Sequence, residues 1–160
     1  MYAIFKKENT VTFKRNGNDS QTFNSSTTTE DIVQTCTIRN TATSCNVKTP
    51  TITSTKTPNI LGYSTSSDSH VGTYSVNTNI AVSNSMTLYA QSKANQVDRN
   101  ITFNPNGNAS FTYGGETKTS ATTYVLCNIP AVYNGATQAT TCTATITFPD
   151  ITANAEKTVL

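Results

Sequence analysis

Four cysteines, one histidine and nine acidic residues are the groups in this 160-residue chain that have chemistry to offer. Cys36 and Cys45 are separated by eight residues, Cys127 and Cys142 by fourteen. A structural zinc site wants about four ligands at close, regular spacing. His70 lies far from both cysteine pairs, so no metal or cofactor site is expected. Disulfides are the other reading. Four thiols allow three pairings, and such bonds persist in oxidising compartments outside the cytoplasm.

His70 closes the stretch Ser66-Ser67-Asp68-Ser69-His70. A nucleophilic triad needs its base held by a buried orienting carboxylate, and a polar Ser/Asp loop offers none. Among the acids only Glu30 and Asp31 are adjacent, and neighbours on a strand point to opposite faces. The paired carboxylates of glycoside hydrolysis are therefore missing, no catalytic residue is assigned, and the chain is not expected to be an enzyme. Tyr63 and Tyr113 are candidate ligand-contact aromatics. Tyr113 precedes Gly114-Gly115, where an exposed ring would stack on a sugar. The competing role for both is a large core side chain whose hydroxyl reaches the surface.

The elements that must carry these residues read as strands. Asn9–Phe13 and Thr143–Phe148 alternate polar and apolar residues with period two. Thr, Asn and Ser make up roughly two-fifths of the chain, and hydrophobic residues 35% against the usual ~45–50%. Disorder of low hydrophobicity normally carries high net charge, whereas the net charge here is +2. Threonine suits a pleated surface, so the composition favours thin β-structure with uncharged faces. Asn16-Gly17 and Asn106-Gly107 supply the positive φ of tight hairpin turns. Helix is expected at most as one turn near residues 28–33, capped by Thr28 or Thr29. Scattered basic residues give no stripe for nucleic acid. No apolar run approaches the ~20 residues of a membrane span, so no membrane insertion is expected of this segment.

Internal similarity then organises the chain. Val11-Thr12-Phe13 with Asn16-Gly17-Asn18 matches Ile101-Thr102-Phe103 with Asn106-Gly107-Asn108, and Ile101 stands 90 residues after Val11. Cys36-Thr37-Ile38 corresponds to Cys127-Asn128-Ile129, and Pro50-Thr51-Ile52-Thr53 to Pro149-Asp150-Ile151-Thr152, the last pair 99 residues apart. The second copy thus carries insertions between and after its cysteines. Met1-Tyr2-Ala3 also matches Leu88-Tyr89-Ala90. The phase that follows is a closing strand of a preceding repeat at 1–7, a complete repeat at 8–94 and an incomplete second repeat at 95–160. Because each repeat must fold without its neighbour, the duplication favours the pairings Cys36–Cys45 and Cys127–Cys142.

The Thr10–Phe13 strand, the Asn16-Gly17 turn, Ile60-Leu61-Gly62-Tyr63 and the strand Met86-Thr87-Leu88-Tyr89-Ala90 together resemble the Listeria–Bacteroides surface repeat of the internalin B-repeat type. The usual Gly-Trp pair is Gly62-Tyr63 here, and the cysteine-bounded insert is an addition to the common repeat. The resemblance implies an all-β, β-grasp-like fold with little helix, repeated as a tandem array of small sheet domains. It implies a non-enzymatic structural segment of a bacterial cell-surface protein: a stalk, adhesin or filament component, extracellular. Its partners would be neighbouring repeats of the same chain or head-to-tail copies, and host or neighbour-cell glycans or proteins. A glycan- or receptor-binding module and a phage fibre or decoration protein are the alternatives the same features serve.

Overall fold

A computed structural model describes residues 5–155; residues 1–4 of the expected closing strand lie outside them. The fold is all-β, and the described residues contain no helix. The strands in chain order are β1 (Lys6–Lys14), β2 (Ser20–Phe23), β3 (Ser26–Thr28), β4 (Ile32–Arg39), β5 (Cys45–Lys48), β6 (Thr51–Thr53), β7 (Asn59–Ser64), β8 (Asn79–Val82) and β9 (Met86–Ala94). They continue with β10 (Val97–Phe103), β11 (Ser110–Tyr113), β12 (Glu116–Lys118), β13 (Thr122–Ile129), β14 (Val132–Tyr133) and β15 (Asp150–Thr152). Two compact units divide them. Unit 1 runs to Asn95 and also takes Ala131–Gln138; unit 2 comprises Gln96–Pro130 and the chain from Ala139 onward.

In unit 1, β1 pairs antiparallel with β4 on one side and parallel with β9 on the other. Strand β7 lies on the far side of β9. The alternation read from the sequence sets the faces: Asn9, Val11 and Phe13 of β1 are buried while the intervening residues are not. Val11 and Phe13 meet Val47, Ile52, Tyr63, Ile80, Val82, Leu88 and Ala90 in one core. Fully burying a side chain of the Val, Leu or Phe kind contributes about 1.5–3 kcal/mol, so these few residues carry most of the unit's apolar stabilisation. Two smaller sheets complete it, β3-β2-β6 and β5-β8.

Both edges of β1 are thus occupied, and the Asn16-Gly17 turn closes no hairpin. Asn16 and Gly17 do adopt positive φ, 51° and 82°, and the Asn18 N–H closes the turn on the Arg15 carbonyl at 3.0 Å. The turn sends the chain from the sheet of β1 into that of β2. The tight hairpins are β2–β3 and β11–β12, turned at Asn24-Ser25 and Gly114-Gly115, all with positive φ. At the expected helical turn, the Thr28 hydroxyl accepts the Glu30 N–H at 3.0 Å, but the chain enters β4 at Ile32 without helix.

Unit 2 repeats part of this plan. Strand β10 pairs with β13 as β1 does with β4, and β12-β11-β15 reproduces β3-β2-β6. The register of β10 against β13 shifts between Arg99 and Asn100. Leu126 is the extra residue of this bulge: Ile101 faces Tyr124 and Asn100 faces Val125, but Arg99 faces Cys127.

Both disulfides join the paired cysteines of one copy, Cys36 to Cys45 and Cys127 to Cys142, with Cα separations of 5.8 and 6.1 Å. Cys36 lies on β4 and Cys45 opens β5, so the first bond ties two sheets together. Cys127 lies on β13, whereas Cys142 belongs to a stretch, residues 139–149, without strand structure.

Candidate docking site

The two candidate aromatics have different fates. Tyr63 is fully buried, packs edge-on against Phe13 at 5.2 Å, and offers no face to a ligand. Its hydroxyl donates to Gln21 Oε1 at 2.7 Å, and Gln21 Nε2 donates to the Phe13 carbonyl at 3.1 Å. Burial pushes the Tyr63 phenol well above its ordinary pKa, which keeps it a donor. The core role therefore holds for Tyr63. Tyr113 is half-buried. It lines a cleft of about 570 Å³ in unit 2, with Thr112, Gly114, Gly115, Thr147, Phe148 and Asp150. Behind it, Tyr113 packs on Phe103 and Tyr124 at 4.9 and 4.8 Å. Of the lining residues, Phe148 is 81% exposed.

No cluster of three or more His, Cys, Asp or Glu residues placed to hold a metal occurs among the described residues. His70 stacks on Tyr133, ring centroids 3.9 Å apart, and its backbone N–H donates to Gln91 Oε1 at 3.2 Å. Neither contact orients it as a base.

That stack belongs to an extended contact within unit 1. Residues 131–138 come from the long loop between the second pair of cysteines, yet they are built into unit 1. Strand β14 pairs antiparallel with β9, Val132 opposite Ala94 and Tyr133 opposite Lys93. The other side of Lys93 is taken by Asn59 of β7, so β14 occupies the edge of β9 that β1 leaves beyond Tyr89. Asn134 then completes the ladder with both its backbone and its amide. Its N–H donates to the Ser92 carbonyl, and its Oδ1 accepts the Ser92 N–H, both at 3.1 Å. Its Nδ2 donates to the Ser67 carbonyl and to Gln91 Oε1, each at 3.1 Å.

The next residue, Gly135, closes a hydroxyl chain. Its N–H donates to Thr57 Oγ1 at 2.9 Å. Ser54, Thr57, Ser92 and Asn18 are all buried and linked through Ser54 Oγ–Thr57 Oγ1 and Thr57 Oγ1–Ser92 Oγ, each 2.6 Å, and Ser92 Oγ–Asn18 Oδ1. Asn18 Nδ2 donates to the Arg15 carbonyl at 2.7 Å, so Oδ1 is the acceptor and Ser92 must donate to it. Ser54 therefore donates to Thr57, and Thr57 to Ser92. Such a directional chain gives each of its own buried hydroxyls a partner, which is the condition for keeping polar groups inside.

Glycine is required on both sides of the contact. A Cβ on Gly135 would stand 1.9 Å from the Gly17 carbonyl oxygen, and one on Gly17 would stand 2.2 Å from that of Asn134. Two Asn-Gly turns thus clasp backbone to backbone. Sequence reading found Asn16-Gly17 and Asn106-Gly107 and missed the third pair, Asn134-Gly135. The available signal was its position inside the stretch that the second copy has and the first, with only Arg39-Asn40 between Ile38 and Thr41, lacks.

Comparison of the chain with family models, curated proteins and solved structures finds no match.

Proposed function

We propose that this chain is a non-enzymatic structural segment of a bacterial cell-surface protein, built from tandem β-grasp-like repeats and serving as part of a stalk, adhesin or filament. The observation that carries this reading is that unit 2 repeats the β1–β4 pairing and the β3-β2-β6 sheet of unit 1, and that each unit is stapled by its own cysteine pair. Repeats that satisfy their own covalent requirements can be added or removed without refolding the rest, and length then scales with copy number. The uncharged Thr/Asn/Ser surface suits a hydrated extracellular spacer. The disulfides fit an oxidising compartment. Neighbouring repeats are the first partners of such a segment, and the docked strand 131–138 supports that choice because it comes from within the second copy's sequence. Small-angle scattering of the intact chain, combined with a glycan array, tests the reading. An extended particle without sugar binding supports it; a binding signal in the micromolar range abolished by Phe148→Ala would replace it.

That second outcome defines the rival reading, a glycan-binding module, which one feature favours. Tyr113 and the exposed Phe148 line a cleft to which Asp150 also contributes. Aromatic faces with a nearby carboxylate are the groups on which a sugar ring stacks and hydrogen-bonds.

A further inference from the structure

Docking of residues 131–138 uses both ends of the Asn134 amide and the bare backbone of Gly135. Asn134 accepts at Oδ1 from the Ser92 N–H and donates at Nδ2 to the Ser67 carbonyl and Gln91 Oε1, each at 3.1 Å. A Cβ at position 135 would stand 1.9 Å from the Gly17 carbonyl oxygen. The contact therefore requires a dipeptide with a chemical weakness. The nitrogen after an asparagine can attack that asparagine's side chain, and glycine has no Cβ to shield it. In the docked state the attack is blocked. The Gly135 N–H is committed to Thr57 Oγ1 at 2.9 Å, and turning the Asn134 amide toward Gly135 breaks its bonds to Ser92, Ser67 and Gln91. Asn16, which precedes Gly17, is held independently of the docked segment. Its Nδ2 donates to the Ser67 and Ala90 carbonyls at 2.9 and 3.0 Å.

We propose that Asn134-Gly135 is a self-modification site: stable while docked, it converts to aspartate or isoaspartate when 131–138 undocks, and the conversion makes the release permanent. The Gly135 nitrogen bonds to Asn134 Cγ as the Cγ–Nδ2 bond breaks. Ammonia leaves with the nitrogen's proton, and a cyclic imide remains. Water opens the imide at either carbonyl, so nothing is oxidised or reduced. Aspartate places an oxygen where Nδ2 donated, facing the Ser67 carbonyl and Gln91 Oε1 with no proton between them. Gln91 cannot turn its amide to help. Its Nε2 already donates to the Ser66, Ser67 and Tyr89 carbonyls at 2.9, 3.3 and 3.3 Å. Isoaspartate routes the backbone through the former side chain and lengthens it. The N–H groups of residues 134 and 135 then no longer both reach the Ser92 carbonyl and Thr57 Oγ1.

The unaltered full chain supplies the first test. It is incubated in mildly alkaline buffer, folded or unfolded in urea, and peptide mass spectrometry follows conversion at Asn16 and Asn134. Because the reaction draws on the undocked population, folding should slow Asn134 at least about tenfold relative to urea. Tyr133→Ala removes the ring stacked on His70. It should speed Asn134 in the folded chain by up to about tenfold and leave Asn16 slow. The second test takes Asn134→Asp as the product. Its Ser92 amide should exchange at least about tenfold faster, with the amides of β1 and β4 as protected as before. Equal Asn134 rates in folded and unfolded chains overturn the proposal. So does a Tyr133→Ala protein in which Asn134 is not accelerated, or in which Asn16 is accelerated as much. A Ser92 amide still protected in Asn134→Asp, or in chains already converted at Asn134, overturns the permanence of the release and with it the proposal.

Discussion

Unit 1 and unit 2 begin with nearly the same words and end with different interiors. Val11 and Phe13 are fully buried, while Ile101 and Phe103, on an equivalent strand, keep partial exposure. Disulfide, turn and first pairing strand are common to both, so none of these determines burial. The difference lies in β7, β8 and β9, which supply over half of the core of unit 1 and have no counterpart among the described residues of unit 2. Burial in a thin sheet is decided by what lies across from a strand rather than by the strand's own alternation. Unit 2 compensates locally. Where unit 1 buries the polar Gln21 to satisfy Tyr63, unit 2 has Phe111, which packs against Phe103 at 6.0 Å.

The largest effect should come from a matched pair of substitutions. Phe13→Ala removes a fully buried ring that touches Tyr63, and should cost unit 1 about 3–5 kcal/mol. Phe103→Ala removes a ring that already meets solvent, and should cost unit 2 roughly half as much. Denaturation followed by unit-resolved amide exchange measures both. Equal losses would mean that the two interiors are packed alike, contrary to the exposures above.

Next come the staples. Replacing Cys36 and Cys45 by serine, or Cys127 and Cys142, should each cost roughly 2–3 kcal/mol, since both loops are short. The consequences should differ in kind. Unit 1 keeps β5 through its pairing with β8 and should retain protected amides there. In unit 2 the residues around Cys142 have no ladder, so loss of the bond should leave residues 139–149 unprotected. Protection that persists there in the Cys127→Ser, Cys142→Ser protein would show that something other than the disulfide holds the segment.

The clasp is a smaller and more local term. Gly135→Ala forces a Cβ onto the Gly17 carbonyl oxygen at a residue with φ 74°. It should release the 131–138 strand at a cost of about 1–3 kcal/mol, the scale of a few buried hydrogen bonds left unmade. Faster exchange at Ser92 and Asn134 with unit 2 unchanged is the expected signature. An unchanged Ser92 amide would mean that the turn accommodates a side chain.

Much of this was legible beforehand, for identifiable reasons. Strands announce themselves through alternation, and Asn9–Phe13 does so cleanly. The cysteine pairing followed from duplication, because a bond inside each copy is the only kind every copy can form alone. Partner choice was not legible. Nothing in Asn16-Gly17 says that the strand before it has both edges taken, so a hairpin seemed natural and a sheet-to-sheet crossing was found. Nor does Tyr63 differ by type from Tyr113; only the presence of β9 and Gln21 makes one a core residue and the other a cleft wall. The growth in offset between copies was visible as a number, but not that a bulge at Leu126 and a docked strand at 131–138 account for its rise up to Cys142.

The finest distinction between the units is one carboxylate. The Asp19 backbone N–H donates to the Thr53 carbonyl at 3.0 Å, and its counterpart Ala109 makes the same bond to Thr152. Asp19 adds a side chain that accepts the Thr55 N–H at 2.7 Å. Hydrogen bonding from Thr55, helped by Lys56 and Arg15, holds its carboxyl below the ordinary value of 3.8. A carboxylate depressed in the folded state stabilises it at pH above the unfolded value, and that contribution fades as pH falls through the folded value. The loss therefore occurs below pH 3.8, and it is small because the group is exposed to solvent. An NMR titration from roughly pH 5 to 2 should move the Thr55 amide shift with a midpoint under the ordinary carboxylate value. Asp19→Asn should abolish that titration while leaving the fold at neutral pH unchanged, since the amide oxygen can still accept the same bond. The Asn154 amide in unit 2, which stands where Thr55 does, should not follow it, although Glu116, depressed by its hydrogen bond with Lys118, will titrate within its own hairpin. A Thr55 midpoint at or above the ordinary value would mean that this bond does not form in solution, and the two units would then share the same acid response at this corner.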